Sequence, residues 1–273
     1  MIYVRDKGRM CNNILQYGHL YAWGREHGRK TLSMRFAYKY PYFAISHTPG
    51  HNFFRYLVGK FGAKLGLIPV VSFDEKGEDT AEKEREMMRR RNIVAQGWEV
   101  RFYDLFLKYF DDIKELFAFD PVIAAKIHDY ITAETLPGSV KLGVHIRRGD
   151  YARWQDGRYY FDDDVFVNSI SRFRSLCGKP LTVYICGNDP MLDKRKYQES
   201  FSGTDVKIVF AEGNPGEDLC LLSECDYIMG PPSTFSLVSA MYRDVPLYWI
   251  KDPKKEIEFS DFGYFRDLFK EII

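Results

Sequence analysis

The stretch Val144-His145-Ile146-Arg147-Arg148-Gly149-Asp150-Tyr151 concentrates the residue types that could do chemistry in this chain. Val140, Leu142, Val144 and Ile146 alternate with Lys141, Gly143, His145 and Arg147, the period-two pattern of a β-strand. The strand ends in two adjacent arginines, and the carboxyl ends of strands are where ligands bind in open α/β sheets. A buried cation must find an anion, so folding alone does not call for this pair. A guanidinium fork matches phosphate or carboxylate geometry. The segment therefore reads as an anion site, best suited to a phosphorylated ligand. Alternation puts His145 and Arg147 on one face. A salt bridge to Asp150 accounts for one arginine and not readily for both.

Two further segments could meet such a ligand. Ser233-Thr234-Phe235-Ser236 follows Gly230-Pro231-Pro232, and hydroxyls with backbone N–H groups at a helix start bind anions. An ordinary N-cap explains the same residues. Gly8-Arg9-Met10-Cys11-Asn12-Asn13 forms a loop between a first strand and a first helix. Glycine there permits close backbone approach, although a strand–helix turn with an Asn cap is the plainer reading of that loop alone. Asp162-Asp163-Asp164 carries the spaced aspartates that many sugar transferases use for a divalent metal, but acidic residues also favour a helix start, and that explanation is preferred. Arg89-Arg90-Arg91 after Glu82, Glu84 and Glu86 reads as a solvated helix face. His19, His27, His47, His51 and His128 have no metal-like spacing.

These residues need a scaffold. From Val140 onward strands and helices alternate: strands over 140–147, 181–186, 206–210, 227–229 and 245–250, helices over 162–175, 216–225 and 233–242. That order predicts a parallel, doubly wound sheet. The first half is less regular, with strands at 2–5, 31–36 and 67–73, helices at 12–26 and 52–65, and a helix over 101–117 whose Phe106, Tyr109, Phe110, Ile113, Leu116 and Phe117 share one face. The turn Leu136-Pro137-Gly138-Ser139 sets the boundary, giving domains 1–138 and 139–252, with a C-terminal helix over 253–273 packing back on the first domain. A hydrophobic fraction of 45% supports a real core, and a net charge of +1 gives no bulk attraction to nucleic acid or membrane. No apolar run reaches the length of a membrane span. Five scattered cysteines without a CxxC pair predict reduced thiols, no zinc site and a cytoplasmic setting.

Taken together, the segments resemble a known family. Gly8-Arg9-Met10-Cys11-Asn12-Asn13-Ile14-Leu15-Gln16-Tyr17 is similar to the N-terminal GGLGNQMFQYA-like motif of family 11 glycosyltransferases, the α-1,2-fucosyltransferases. His145 to Asp150 matches the HxRRxD motif of that family and its wider superfamily. Asp218-Leu219-Cys220-Leu221-Leu222-Ser223-Glu224-Cys225, with Ser233-Thr234-Phe235-Ser236 beyond it, resembles the C-terminal DLxLMSxC…NSTFSWW region. Ile185-Cys186-Gly187-Asn188-Asp189 and Gln96-Gly97-Trp98 are weaker echoes. Arg9, Cys11, Asn13 and the Ser236-Leu237-Val238 run depart from the usual residues, which leaves acceptor and linkage open.

The resemblance implies a GT-B-like α/β fold, two Rossmann-like domains facing a central cleft, the second holding the GDP-sugar. It implies inverting transfer of L-fucose from GDP-fucose to a glycan or lipid-linked oligosaccharide hydroxyl, α-1,2 to galactose, without an obligatory metal or cofactor. Carried over by position, Arg147 pairs with the β-phosphate, Arg148 orients it or braces the site, and His145 shapes the pocket. Ser233, Thr234, Phe235 and Ser236 line the phosphate side at the helix start, Asn188 and Asp189 lie near guanine, and Asp218 belongs to the donor site. Asn12 and Asn13 reach across from the first domain. Asp150 is the candidate base. No nucleic-acid partner and no membrane-spanning segment are expected; peripheral contact with the inner face of a membrane stays open. Two alternatives stand beside this reading: a transferase of the same architecture using another nucleotide sugar, and a non-catalytic nucleotide or sugar-phosphate binding protein.

Overall fold

The computed structural model of the chain describes every residue except Asn188, Ile272 and Ile273. It divides into two compact units, Met1–Asp120 and Pro121–Ile273. Each is built on one parallel sheet.

In the first unit, β1 (Ile2–Val4), β2 (Thr31–Ser33), β3 (Val70–Ser72) and β4 (Ile93–Gln96) run in the order β2-β1-β4-β3. The registers pair Tyr3 with Leu32 and with Val94. Helices α1 (Met10–Glu26), α2 (Phe36–Lys39), α3 (Phe53–Lys64), α4 (Ala81–Arg89), α5 (Tyr103–Lys108) and α6 (Phe110–Leu116) complete it. Helix α1 is buried over most of its length, Trp23 included. Gly18 makes this possible: a Cβ there would stand 2.3 Å from the Phe106 ring. Strand β4 was not foreseen. The single helix expected over 101–117 is two helices, α5 and α6, meeting at Tyr109, whose backbone (φ −105°, ψ 26°) leaves the helical range. Its apolar stripe continues through the break, which is why periodicity did not reveal it.

The second unit holds α7 (Pro121–Glu134), β5 (Val140–Ile146), α8 (Asp163–Cys177), β6 (Leu181–Gly187), α9 (Lys194–Ser200), β7 (Val206–Phe210), α10 (Pro215–Ser223), β8 (Tyr227–Gly230), α11 (Thr234–Arg243), β9 (Leu247–Trp249) and α12 (Phe265–Leu268). The sheet order is β7-β6-β5-β8-β9. The division between units falls ahead of the expected turn at 136–139, because α7 packs within the second unit. Its Tyr130 ring meets Tyr184, Thr135 hydrogen-bonds the Tyr184 hydroxyl at 2.7 Å, and Lys126 pairs with Glu217 of α10 at 2.7 Å. Residues beyond β9 form three single turns rather than one helix. An antiparallel bridge from Leu247 to Gly263 and the packing of Phe262 on Phe173, Tyr227 and Tyr248 hold that segment to its own unit's sheet.

Strand β5 is the central strand, and helices cover both of its faces. Leu142, Val144 and Ile146 join Phe166, Ile170 and Phe173 of α8 in the main core. Gly143, on the other face, lies against Leu222 and Cys225 at the end of α10. The chain winds outward from β5 through β6 to β7, then crosses to β8 and β9. The strand order therefore reverses between β5 and β8, the switch point at which such sheets bind ligands. Gly230, the last residue of β8, is packed so tightly there that a Cβ would lie 2.4 Å from the His145 carbonyl oxygen. Gly230→Ala is expected to cost about 2 kcal/mol by forcing these strands apart, lowering the thermal midpoint by about 5 °C. A midpoint unchanged in calorimetry would show that the strands give way freely.

Candidate active site

The two arginines at the end of β5 have opposite fates. Arg148 is turned inward and buried. Its Nη2 meets Asp163 at 2.6 Å, its Nη1 meets Asp189 at 2.8 Å, and its Nε donates to the Phe161 carbonyl at 2.9 Å. Burial works against its charge, but the Asp189 and Asp163 carboxylates outweigh it and raise the guanidinium pKa further. Asp189, desolvated but hydrogen-bonded by Arg148, is held below the usual carboxylate range. With every part of its fork engaged, Arg148 is a brace that ties the end of β5 to the start of α8 and the turn after β6. The aspartate triplet is thereby explained: Asp162 caps α8 by accepting from the Val165 amide, Asp163 neutralises Arg148, and Asp164 pairs with Lys196 at 2.7 Å. Among the described residues, no group of three or more His, Cys, Asp or Glu side chains could hold a metal ion.

Arg147 points the other way. Its Nη2 lies 2.7 and 3.0 Å from the two oxygens of Asp150, and its guanidinium stacks over Tyr151 at 5.4 Å. The arginine that a salt bridge to Asp150 accounts for is thus Arg147. Asp150 keeps about half of its side-chain surface in solvent. Tyr151 holds the next part of the site by donating its hydroxyl to the Pro232 carbonyl at 2.6 Å. Sequence reasoning gave neither Tyr151 nor Asp163 a role. The Tyr151 side chain sits one residue past the motif, and the acidic run hid Asp163 among caps.

His145 shares the Arg147 face of β5 and stacks on Phe235 with ring centroids 4.8 Å apart. It is buried, and its Nδ1 has no hydrogen-bond partner. Burial, then the Arg147 charge, lowers its pKa to about 3. It is therefore a neutral ring that cannot serve as a second cation.

The α11 terminus adds a different kind of positive potential. Ser233 is the N-cap, its Oγ accepting from the Phe235 amide at 3.1 Å. Thr234 and Phe235 open the helix beyond it, at the end of the dipole that attracts anions. Ser236 does not join them. Its hydroxyl donates to the Ser233 carbonyl at 3.1 Å and accepts from the Trp249 indole at 3.2 Å inside the core. The phosphate role implied for Ser236 is thus replaced by a packing role, because the helix turn carries its side chain away from the terminus.

Asp218 stands in the first turn of α10, beyond the carboxyl end of β7. Asn214 caps this helix, accepting from the Gly216 and Glu217 amides, and the Glu217 side chain accepts in return from the Asn214 amide. The cap satisfies the terminus without Asp218. The Asp218 Oδ1 is buried with no hydrogen-bond partner, and burial, with the Glu217 charge, raises its pKa to about 7. Asp189 lies nearby in the sequence of the β6 turn but is committed to Arg148, and Asn188 falls outside the described residues.

In the first unit, Asn12 and Asn13 lie in the first turn of α1, not in the loop before it where the sequence placed them. The Asn13 side chain accepts from the Lys7 amide at 2.7 Å and donates to the Gly8 and Arg9 carbonyls at 3.4 and 3.0 Å. Its amide is fully engaged in shaping the loop, so a reach toward a ligand would cost that loop its fastening. Gly8, at φ +91°, makes the turn possible.

Comparison with known proteins bears on the fold and the family. Galactoside 2-alpha-L-fucosyltransferase Sec1 of Mus musculus is 24% identical over 271 aligned residues, which span 88% of this chain and 64% of the mouse protein. The chain thus spans less than two thirds of that relative's length. The solved structure of an Arabidopsis thaliana FUT1 variant in complex with GDP matches with a TM-score of 0.60 at 11% identity, covering 96% of this chain and 73% of that one. POFUT1 in complex with GDP-fucose matches at 0.57 and 12% identity, covering 89% and 94%. NodZ alpha-1,6-fucosyltransferase, soaked with GDP-fucose, matches at 0.52 and 14%, covering 93% and 97%. At such identities these structures establish the fold, an α/β architecture of the GT-B type with parallel sheets. The profile of glycosyl transferase family 11 covers residues 88–244, more than half the sequence, including β5, its two arginines and the α11 terminus, and by that match the chain belongs to glycosyl transferase family 11.

Proposed function

We propose that this protein transfers fucose from GDP-fucose to a hydroxyl of a glycan acceptor with inversion at the anomeric carbon, the acceptor being a terminal galactose modified at its 2-hydroxyl. The observation that carries the reading is Arg147, a nearly buried cation at the switch point of a parallel sheet, on the strand adjacent to the one that leads into the α11 terminus. Both the donor named for POFUT1 and NodZ and the linkage named for the mouse relative support it.

In this reading the acceptor oxygen attacks the sugar's anomeric carbon, the bond from that carbon to the β-phosphate oxygen breaks, and GDP leaves with the electron pair. Negative charge grows on the diphosphate as the sugar becomes oxocarbenium-like. Fixed positive groups aimed at that charge are commonly the largest catalytic contribution. Arg147 supplies the charge, Tyr151 keeps it on station, and the N-terminus of α11, with Ser233 and Thr234, supplies backbone dipoles. Phosphate displaces Asp150 from Arg147, exchanging one anion for another. Asp150, half exposed, then takes the acceptor proton. Arg148 acts only through the scaffold. Asp218 reads the base: guanine presents adjacent N1–H and N2–H donors, which match a carboxylate, whereas uracil presents one donor.

Thermal unfolding with GDP-fucose, GDP, GDP-mannose, UDP-galactose and ADP tests the donor. A ligand at about one hundred times its dissociation constant adds about 2.7 kcal/mol, and a shift confined to guanine nucleotides is expected. A shift with UDP-galactose would replace the donor, and binding of GDP-fucose without turnover on a panel of galactosides would leave a binding protein.

The arginines should separate cleanly. Arg147→Ala is expected to lower turnover by about two to three decades with a near-normal thermal midpoint. Arg148→Ala leaves two carboxylates buried without their counter-ion and is expected to cost about 3 kcal/mol of stability. Steady-state kinetics beside calorimetry checks both; near-normal transfer by Arg147→Ala removes it from the mechanism.

Asp218 makes binding depend on pH. Its folded pKa lies above its unfolded one, so its contribution to stability is complete below about pH 4 and is lost as pH rises through about 7. Guanine favours the ionised form, so binding releases a proton and gains from high pH. GDP-fucose, whose diphosphate does not titrate in this range, is expected to bind about tenfold more tightly at about pH 8 than at about pH 6, and Asp218→Asn to flatten the profile. His145 stays neutral throughout this range. A flat profile in the unaltered protein takes Asp218 out of base recognition.

A further inference from the structure

Helix α3 is built inside out. Its inward face is small: Gly59 is buried against Tyr3 and Met34, where a Cβ would stand 2.9 Å from the tyrosine ring, and a Cβ on Gly62 would stand 2.5 Å from Ile68. Its outward face is apolar. Phe54, Val58, Phe61 and Leu65 recur at the spacing of one helical stripe, and all four are exposed, Phe54 at 70% and Leu65 at 68%. Phe53 borders the stripe, and Leu67 at 77% and Val70 extend it past the helix end. A helix on a water-facing surface ordinarily turns such a stripe toward the core, and contiguous apolar surface of this kind marks an interaction site.

The surrounding charge identifies the partner. Lys60 and Lys64 flank the stripe on one side and Arg55 on the other, and all three are exposed. Between Glu26 and Asp74 the chain has no acidic residue at all, while it carries Arg29, Lys30, Arg35, Lys39, Arg55, Lys60 and Lys64. Because the whole chain is nearly neutral at +1, this positive stretch is a local feature. Phenylalanine and leucine on one face of a short helix, with lysine and arginine at its borders, is the pattern of a helix lying in the interface of a bilayer, rings in the acyl boundary and cations among anionic headgroups. The Lys60 ammonium stands 5.5 Å from the Tyr56 ring centroid and 5.8 Å from that of Phe61, and a lysine placed so can turn its charge to headgroups while its carbons cover apolar surface.

We infer that α3 docks this protein reversibly on an anionic membrane surface. No helix among the described residues is long and apolar enough to cross a membrane; the contact inferred lies on the surface. It is independent of the donor reading, and its test uses no substrate.

Flotation of the full chain with phosphatidylcholine vesicles, and with phosphatidylcholine vesicles containing phosphatidylglycerol, is the experiment. The anionic vesicles are expected to carry at least about tenfold more protein, and added salt to release most of it. Phe54→Ser with Phe61→Ser, and separately Lys60→Glu with Lys64→Glu, are each expected to lower the bound fraction about fivefold or more with an unchanged thermal midpoint, since these side chains face outward. Lys179→Glu, an exposed reversal in the second unit, is expected to change nothing. Absent binding, equal binding to both vesicle types, or binding unaffected by the α3 variants would overturn the inference. So would concentration-dependent self-association of the chain that Phe54→Ser with Phe61→Ser abolishes, because a second copy would then be the occupant.

Discussion

The site depends on one desolvated charge. Arg148 cannot sit beneath the end of β5 unless its cation is matched there, and a buried guanidinium deprived of its partners is among the costliest defects a fold can carry. Two carboxylates and a carbonyl supply the match, one from the first turn of α8, one from the turn after β6 and one from the chain just before α8. These contacts fix two separate segments, the start of α8 and the turn after β6, to the same strand end. The backbone of β5 then has one way to leave the sheet, and that way sends the neighbouring side chain, Arg147, out on the opposite face. The double arginine is thus a division of labour between a residue that holds and a residue that is held.

The same division recurs in the hydroxyl-rich segment after β8. Ser236 knits the first turn of α11 to Trp249, while Ser233 and Thr234 stay at the terminus. In both places, two similar residues a short distance apart in sequence are separated by geometry, through strand alternation in one case and a helix turn in the other. The parallel sheet does the rest. Because its strands all run one way, the ends of β5, β6, β7 and β8 open on a single edge, and the reversal of order beside β5 keeps the space beyond it clear of a crossing helix.

This logic sets what the sequence could disclose. The strands from Val140 onward, with α8, α10 and α11, were legible because apolar runs stand between strong turn signals and the Asn214-Pro215 and Asp162 starts are caps with an evident mechanism; α9, short and polar, was not. The break at Tyr109 was not legible, because an apolar stripe can cross two helices that meet end to end. Neither was the second-unit membership of α7, which rests on long-range contacts to Tyr184 and Glu217. The importance of His145 to Asp150 could be read from residue types alone, but which arginine would be buried could not: that depends on Asp163 and Asp189, 15 and 41 residues away, and one of them looked like an ordinary helix-start acid. Asn13 was misjudged for a related reason, since an amide's partners in a tight loop are backbone groups that no spacing rule exposes.

The strongest sign that this edge is built for a ligand comes from what the fold leaves undone. A buried polar atom without a partner costs a desolvation penalty with no return, and native proteins retain few of them. Among the described residues of the second unit, only two buried side-chain atoms lack any hydrogen-bond partner, the His145 Nδ1 and the Asp218 Oδ1. Both stand at the carboxyl edge of the same sheet, one near the end of its central strand and one on the helix that follows β7. Packing alone would have let an apolar residue replace either. Two such defects on one edge, beside the paired cation of Arg147, are accounted for together if the partner each lacks is brought by the same incoming molecule, with an anionic group for the arginine and hydrogen-bond donors for the carboxylate.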